Sequence, residues 1–378
     1  MTDGPSGAPI PGRATEEGTA RYAGRSGRHV LPEHFRLTER GLRLASVGMG
    51  TYLGREDDAT DALYRRAVSR ALERSINVVD TAINYRHQRS ERAVGAALGD
   101  LIARGGVARD EIFVATKGGY IPFDGELPRD PAAYFTETYL RSGIVGPDEV
   151  VDGAHCMAPR FLADQIERSR QNLRLETIDL YYLHNPESQL QAVERGEFIR
   201  RLRAAFETFE EAVAAGRIAR YGTATWNGFR EPPGAPGLLV LADVVAAARD
   251  VGGADHHFRA IQLPYNLAMT EAFTRANQPI GAETVSTLEA AKRLDVYVMA
   301  SASVYQGQLT RNLPPLVADF LPGLASDGQR ALQFVRSTPG IGTALVGMKS
   351  AAHVDENAGV AAHAPIPWEQ FKRLFSAA

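Results

Sequence analysis

Ile178-Asp179-Leu180-Tyr181-Tyr182-Leu183-His184 is apolar at almost every position and closes on an imidazole. A strand with one face in water alternates apolar and polar residues, whereas a strand of a parallel sheet covered on both faces reads as a near-continuous apolar run. Two upstream runs end in the same way. Ile76-Asn77-Val78-Val79-Asp80 closes on an acid, with Tyr85 five residues further on, and Ile112-Phe113-Val114-Ala115-Thr116-Lys117 closes on an ammonium. Working outward, β-rich runs recur at 42–47, 76–80, 112–117, 178–184, 218–224, 258–263, 296–300 and 343–346. Between them lie stripes with helical spacing, such as Ala62, Leu63, Ala67, Val68, Ala71 and Leu72, or Leu202, Ala205, Phe206, Phe209 and Val213.

Strands alternating with helices pair in parallel through right-handed crossovers, and eight such units predict a closed (β/α)8 TIM barrel. The rival arrangement, a doubly wound open sheet, lacks support because no Gly-x-Gly-x-x-Gly follows a strand and opens a helix. Two connections are long. The one after the third strand, 118–159, carries Tyr120, Phe123, Tyr134, Phe135, Tyr139, His155 and Met157, and its aromatics are expected beside the strand-end cluster, with some helix near 131–141. The one after the seventh strand, 306–326, is expected to form the opposite wall.

The chain has 378 residues, 44% of them hydrophobic, a net charge of -3 and one cysteine. That balance fits an ordinary soluble protein and gives no case for nucleic acid or a membrane as partner; the single Cys156 fits a reducing, cytoplasmic compartment. No secretory signal or membrane-spanning run is legible. Residues 1–29, rich in Gly, Pro, Arg and Glu, read as a flexible tail or loose strap, and 30–378 as a single catalytic barrel. The oligomeric state is not legible. The adjacent pair His256-His257 and the remaining His and Cys make no metal-ligand spacing, and Cys156 beside His155 is a poor candidate for a catalytic thiol because chain neighbours rarely face each other.

Strand C-termini converge on one face of such a barrel, where active sites are built. Asp80, Tyr85, Lys117 and His184 would meet there. Each has a bland reading alone: a capping acid, a half-buried ring, a snorkelling lysine, a satisfied polar residue. Four together at three successive strand ends point to proton transfer. Lys117 would favour the tyrosinate and Asp80 would hold Lys117, so Tyr85 could serve as general acid to a carbonyl oxygen and His184 could donate to the same oxygen. None of these groups supplies electrons, so reduction needs a hydride carrier.

The segments Gly48-Met49-Gly50-Thr51-Tyr52, Asp80-Thr81-Ala82-Ile83-Asn84-Tyr85, Ala115-Thr116-Lys117 and 179–184 resemble those of the aldo-keto reductase family, in that family's order. The resemblance implies a barrel that binds a nicotinamide dinucleotide, NADP(H) in preference to NAD(H), with Asp80, Tyr85, Lys117 and His184 as its catalytic tetrad. It further implies cofactor contacts at Gly50, Thr51, Tyr52, Asp80, Thr225, Trp226, Gln262, Ser301, Lys349, Ser350, His353, Glu356 and Asn357. Three positions depart from the family's pattern. Ala224-Thr225 replaces Ser-Asn, Ser301 replaces a stacking tyrosine (leaving Trp226 or Tyr305 to substitute), and His353 replaces the arginine facing the 2′-phosphate, with Lys349 and Ser350 nearby. The implied activity is reduction of a small aldehyde, ketone or sugar-like substrate, and Asn84, His87, Asn185, Gln189 and Asn227 are expected to give the mouth a polar lining. The alternatives are a redox-neutral epimerase, isomerase or dehydratase with tightly held NADP, or a catalytically silent regulatory module.

Overall fold

A computed structural model describes residues 8–27 and 30–375. Eight parallel strands close into a barrel: β1 (Val47–Gly50), β2 (Val78–Asp80), β3 (Phe113–Gly118), β4 (Leu180–His184), β5 (Tyr221–Ala224), β6 (Phe258–Pro264), β7 (Tyr297–Ser301) and β8 (Thr343–Gly347). Each pairs with the next in sequence, and β8 returns to β1 through Ala344↔Val47 to Gly347↔Gly50. The outer ring includes α1 (Asp58–Glu73), α2 (Arg89–Ala103), α3 (Pro159–Leu173), α4 (Arg195–Ala214), α5 (Leu241–Gly252), α6 (Thr287–Arg293), α7 (Asp327–Ser337) and α8 (Ala351–Ala358). No helix among the described residues is long and apolar enough to cross a membrane.

Side chains alternate across a strand, so every second residue enters the barrel. Val78, Phe113, Ala115, Leu180, Tyr182, Ala224, Ala260, Met299 and Leu345 form the interior cluster. Asp80, Lys117, His184, Gln262 and Ser301 continue those same phases at the carboxyl ends of their strands, and thereby point inward. Outward residues such as Val79, Val114, Tyr181 and Leu183 pack instead under the helices.

Two expectations change. The run at 42–47 is not the first barrel strand. Arg43–Ala45 pairs antiparallel with Phe35–Leu37 as a hairpin, with Leu42 and Leu44 joining the interior cluster, and β1 begins at Val47. Glycine conceals β1 in the sequence, yet Gly48 is required there: a Cβ at that position would stand 2.6 Å from Leu345 Cδ2 and 2.9 Å from Thr343 Cγ2.

The segment expected as a flexible tail also forms structure in its described part. Thr15 caps a helix at Glu16–Ser26, Ala14 N–H donates to Asp179 Oδ1 at 2.6 Å, and Ile10 bridges to Leu175. Residues 1–7 and 28–29 lie outside the described residues. The helix is anchored by charge rather than by an apolar stripe: Glu111, buried, accepts from Arg21 Nε at 3.0 Å, from Arg25 Nη2 at 2.7 Å and from Ala108 N at 2.9 Å. Glu111→Ala leaves the Arg25 guanidinium and the Ala108 amide without their acceptor, and Arg21 with Asp110 alone. Because Arg21 and Arg25 are half exposed, their charges stay solvated, and we expect the substitution to cost about 1–3 kcal/mol in denaturant unfolding and to open the segment around Glu16–Ser26 to limited proteolysis. Unchanged stability and protease resistance would refute this account of the helix.

Candidate active site

Tyr85 lies on the loop after β2. Thr81 N–H donates to Ala115 O at 2.9 Å and Ile83 N–H to Lys117 O at 3.2 Å, so the loop first extends the pairing with β3. Arg86, His87 and Gln88 then take left-handed conformations at φ 50°, 53° and 72°, which costs strain in non-glycine residues and persists only where neighbours hold it. Arg86 Nε donates to Arg55 O at 2.7 Å and Arg86 Nη2 to Asp61 Oδ1 at 2.5 Å, while Gln88 Nε2 donates to Phe123 O at 2.9 Å. The turn is thus tied to the loops after β1 and β3, and this sets Tyr85 over Lys117.

Lys117 is fully buried. Its Nζ donates to Asp80 Oδ2 at 2.5 Å and to Thr81 O at 2.8 Å, and stands 4.9 Å from the centroid of the Tyr85 ring. The second Asp80 oxygen accepts from Gln262 Nε2 at 2.8 Å. Tyr85 meets His184 edge to face at 6.1 Å between centroids, and Tyr52 meets Tyr85 at 5.0 Å. All four tetrad residues are therefore brought together, Lys117 behind the wall and the other three on it.

The electrostatics differ from the expectation in one respect. Burial pushes the Tyr85 phenol above its usual value, and Lys117 only partly opposes this. Burial works hardest against the charge on Lys117, but Asp80 and Tyr85 together outweigh it and the lysine stays an ammonium. Burial, and then the Lys117 charge, hold His184 well below the usual imidazole range, so it is neutral; its Nδ1 has no protein partner. The arrangement can hold a proton on a phenol and release it when negative charge develops nearby.

A cavity of about 820 Å³ opens from this cluster. It is lined by Gly50, Thr51, Tyr52, Asp80, Asn84, Tyr85, Tyr120, His184, Asn185, Ala224, Thr225, Trp226, Gln262 and Ser301, and at its far end by Lys349, His353, Glu356 and Asn357. Of the residues singled out as cofactor contacts, Ser350 alone is not on the wall. Its hydroxyl caps α8 by accepting from His353 N. Trp226, 40% exposed, is on the wall, whereas Tyr305 is not. The loop after β7 contributes Val304, Gln306, Gly307 and Thr310 to the wall, whereas none of residues 311–326 of the expected span lines it.

The loop after β3 behaves differently. Of its aromatics, Tyr120 alone lines the cavity; Phe123, Tyr134, Phe135 and Tyr139 pack on one another and on Phe161. Gln189, expected at the mouth, is buried against His155, while His87 and Asn227 are also absent from the wall. Burial pushes the Cys156 thiol up to about 11, which disfavours a thiolate, and the neighbouring His155 has both ring nitrogens engaged elsewhere. No cluster of three metal-ligating side chains occurs among the described residues. Sequence reasoning missed Ser303, Gly328 and the β8 segment Leu345, Val346 and Gly347 on the wall, which carry no chemical signature of their own.

Comparison with known proteins agrees with this geometry. Residues 46–230 match the model of the aldo/keto reductase family, a span that contains Asp80, Tyr85, Lys117 and His184. The chain is 26% identical over 200 residues to the 6-dehydroglucose reductase of Novosphingobium aromaticivorans, covering 52% of this chain and 53% of that protein. It is also 26% identical over 190 residues to human aldo-keto reductase family 1 member C2, covering 48% and 47%. The chain thus spans about half the length of these curated relatives. Among solved structures, the fold matches aldo-keto reductase AKR11C1 from Bacillus halodurans in its holo form, with a TM-score of 0.63, 20% identity and coverage of 93% and 97%. It likewise matches a Klebsiella pneumoniae aldo/keto reductase in complex with NADP and acetate, with a TM-score of 0.60, 20% identity and coverage of 91% and 95%. With its closed parallel barrel and a match to the family model across the first five strands, the chain is similar to the aldo/keto reductase family.

Proposed function

We propose that this protein is an NADP(H)-dependent carbonyl reductase acting on a small, hydroxylated aldehyde or ketone, with residues 30–378 as its catalytic unit and the cytoplasm as its compartment. The observation that carries the reading is the protonated phenol of Tyr85 above the buried Lys117–Asp80 pair, at one end of a cavity whose other end presents Lys349 and His353.

The residues fit a nicotinamide dinucleotide. Gly307 and Gly347 line the cavity with open space where a Cβ would stand, which allows backbone to approach a ligand closely. Lys349 and the amino end of α8 favour an anionic group at the far end. Trp226 offers a flat apolar surface in place of the missing tyrosine, and Gln262 and Thr225 lie beside it on the wall. When bound there, the cofactor supplies the hydride. Tyr85 donates its proton to the carbonyl oxygen, Lys117 stabilises the phenolate that remains, Asp80 keeps Lys117 in place, and His184 orients the same oxygen. The preference for a hydroxylated substrate rests on the rim. Asn84 Oδ1 is buried without a partner, and Asn185 Nδ2 donates to Tyr120 Oη at 3.0 Å, leaving the Tyr120 proton free to donate. The 6-dehydroglucose reductase relative accords with this class.

The test is titration of cofactor-free protein with NADPH and NADH, followed by quenching of tryptophan fluorescence, to which Trp226 on the cavity wall and Trp368 away from it both contribute. NADPH is expected to bind at least about tenfold tighter, the ratio from one charge-assisted hydrogen bond of about 1.5 kcal/mol, and Lys349→Ala to erase the difference. Binding of neither cofactor would sink the proposal. Turnover of a hydroxylated carbonyl with no net loss of reduced-nicotinamide absorbance would replace the reductase by a redox-neutral enzyme.

A further inference from the structure

We propose that the hairpin in the loop after β3 is a positioning device for His184, with His155 as its working residue; this rests on the role assigned to His184 above. The hairpin pairs Val150–Val151 with His155–Cys156. It is stitched to the residues just past β3, Cys156 N donating to Gly119 O and Ile121 N to Ala154 O, each at 2.8 Å. That places the buried imidazole of His155 behind His184 rather than over the cavity.

The hydrogen-bond polarity follows from one residue that can only donate. Arg201 Nη1 donates to Gln189 Oε1 at 2.6 Å, and an arginine has no acceptor, so the Gln189 amide cannot be reversed. Its Nε2 then donates to His155 Nδ1 at 2.8 Å. His155 therefore carries its proton on Nε2, which donates to the backbone carbonyl of His184 at 2.7 Å. On the other side of the same peptide, Asn185 N donates to Ala224 O at 2.6 Å. The peptide following His184 is thus pinned at both ends, and Asn185 turns left-handed directly after it at φ 45°.

Ring packing completes the device. Tyr120 meets His155 and His184 edge to face, each at 5.1 Å, so one ring separates the two imidazoles. Gly119 makes room: its φ is 139°, and a Cβ there would stand 3.0 Å from His184 O and 3.1 Å from His155 Nε2. Because His184 Nδ1 has no protein partner, the orientation of that ring depends on the pinned backbone and on the edge contacts with Tyr120 and Tyr85.

His155→Leu removes the donor, whereas His155→Gln places an amide N–H where Nε2 stands. With NADPH and 4-nitrobenzaldehyde as the probe, His155→Leu is expected to lower kcat by about 10- to 100-fold, as displacement of a reacting group does, with KM and the NADPH Kd held within about threefold. His155→Gln should recover most of kcat. Equal kcat in His155→Leu and wild type would overturn the proposal, as would equal losses of kcat and thermal stability in both variants, which mark a merely structural role. If the wild type turns over no aldehyde, the function proposed above fails, and the device is then judged by the ring NMR signals of His184. One set in wild type and His155→Gln, shifted or doubled in His155→Leu, supports it; identical spectra overturn it. Should His155→Leu fail to fold, Gln189→Met interrupts the same relay from α4's side of the hairpin and is read by the same measurements.

Discussion

Tyr85→Phe is expected to lower kcat/KM for carbonyl reduction by about 10²- to 10⁴-fold, the span that a positioned general acid contributes, while leaving NADPH binding within about twofold. The substitution removes one oxygen and keeps the ring, so the Lys117 ammonium retains its aromatic neighbour, whose centroid is 4.9 Å from Nζ. The Lys117–Asp80–Gln262 linkage, in which Asp80 accepts from both, does not use the phenol oxygen and stays intact. The pH dependence gives a second readout. Burial raises the Tyr85 pKa above its ordinary value of about 10, so the proton remains in place throughout the neutral range and the reduction rate falls only on the alkaline side. In Tyr85→Phe that alkaline limb should disappear along with most of the rate. A variant that reduces the same substrate within about threefold of wild type would show that the proton comes from elsewhere, with His184 the next group to examine.

The legibility of this molecule follows its physics. Asp80, Lys117 and His184 could be read because each is a polar group closing an apolar run, and because a period of two carries Val78, Ala115 and Tyr182 into the interior together with them. The register pairs Asp80 with Ala115 and Lys117 with Tyr182, so each polar strand end stands two residues beyond the position opposite its neighbour's, a stagger that no single strand reveals. Strand β1 was misplaced since its inward positions are Gly48 and Gly50, which carry no side chain to announce a strand, and at Gly48 the barrel leaves no room for one. The helix at Glu16–Ser26 was missed for a related reason. Among its larger apolar residues only Tyr22 is buried, and its attachment lies in ion pairs to Asp110 and Glu111 that no local periodicity encodes. His155 could not be assigned because its partners, the His184 carbonyl and Gln189, are 29 and 34 positions away and meet it only through the hairpin. The hairpin pairing Ala276–Ile280 with Glu283–Ser286, between β6 and β7, likewise passed unread among polar residues.

Lys117→Met should cost about 3–5 kcal/mol of stability and, independently, most of the activity. The lysine is fully enclosed, and its loss leaves the Asp80 carboxylate buried with Gln262 as its remaining side-chain partner; deleting one member of a buried ion pair carries a penalty of that size because the other charge is left uncompensated. Asp80 answers by holding a proton. Burial already pushes its pKa upward, and without Lys117 nothing of opposite charge pulls it back. The sign of the pH effect follows. In the variant the folded-state pKa of Asp80 lies above the unfolded value of about 3.9, so the folded form binds the extra proton as pH rises past that value and stability falls until the folded pKa is reached. The deficit against wild type is therefore greatest at neutral pH and shrinks towards pH 4. Asp80→Asn combined with Lys117→Met removes both charges and should restore most of the unfolding free energy, since neither partner is left exposed to the low dielectric. Activity should not return with it: the ammonium that stabilises the Tyr85 phenolate is still missing, a loss of about 10²- to 10³-fold in kcat. Denaturant unfolding and kcat measured on the single and double variants separate the two contributions. Recovery of both in the double variant would mean that Lys117 serves the fold alone, and that the phenol gives up its proton without help from the cation beneath it.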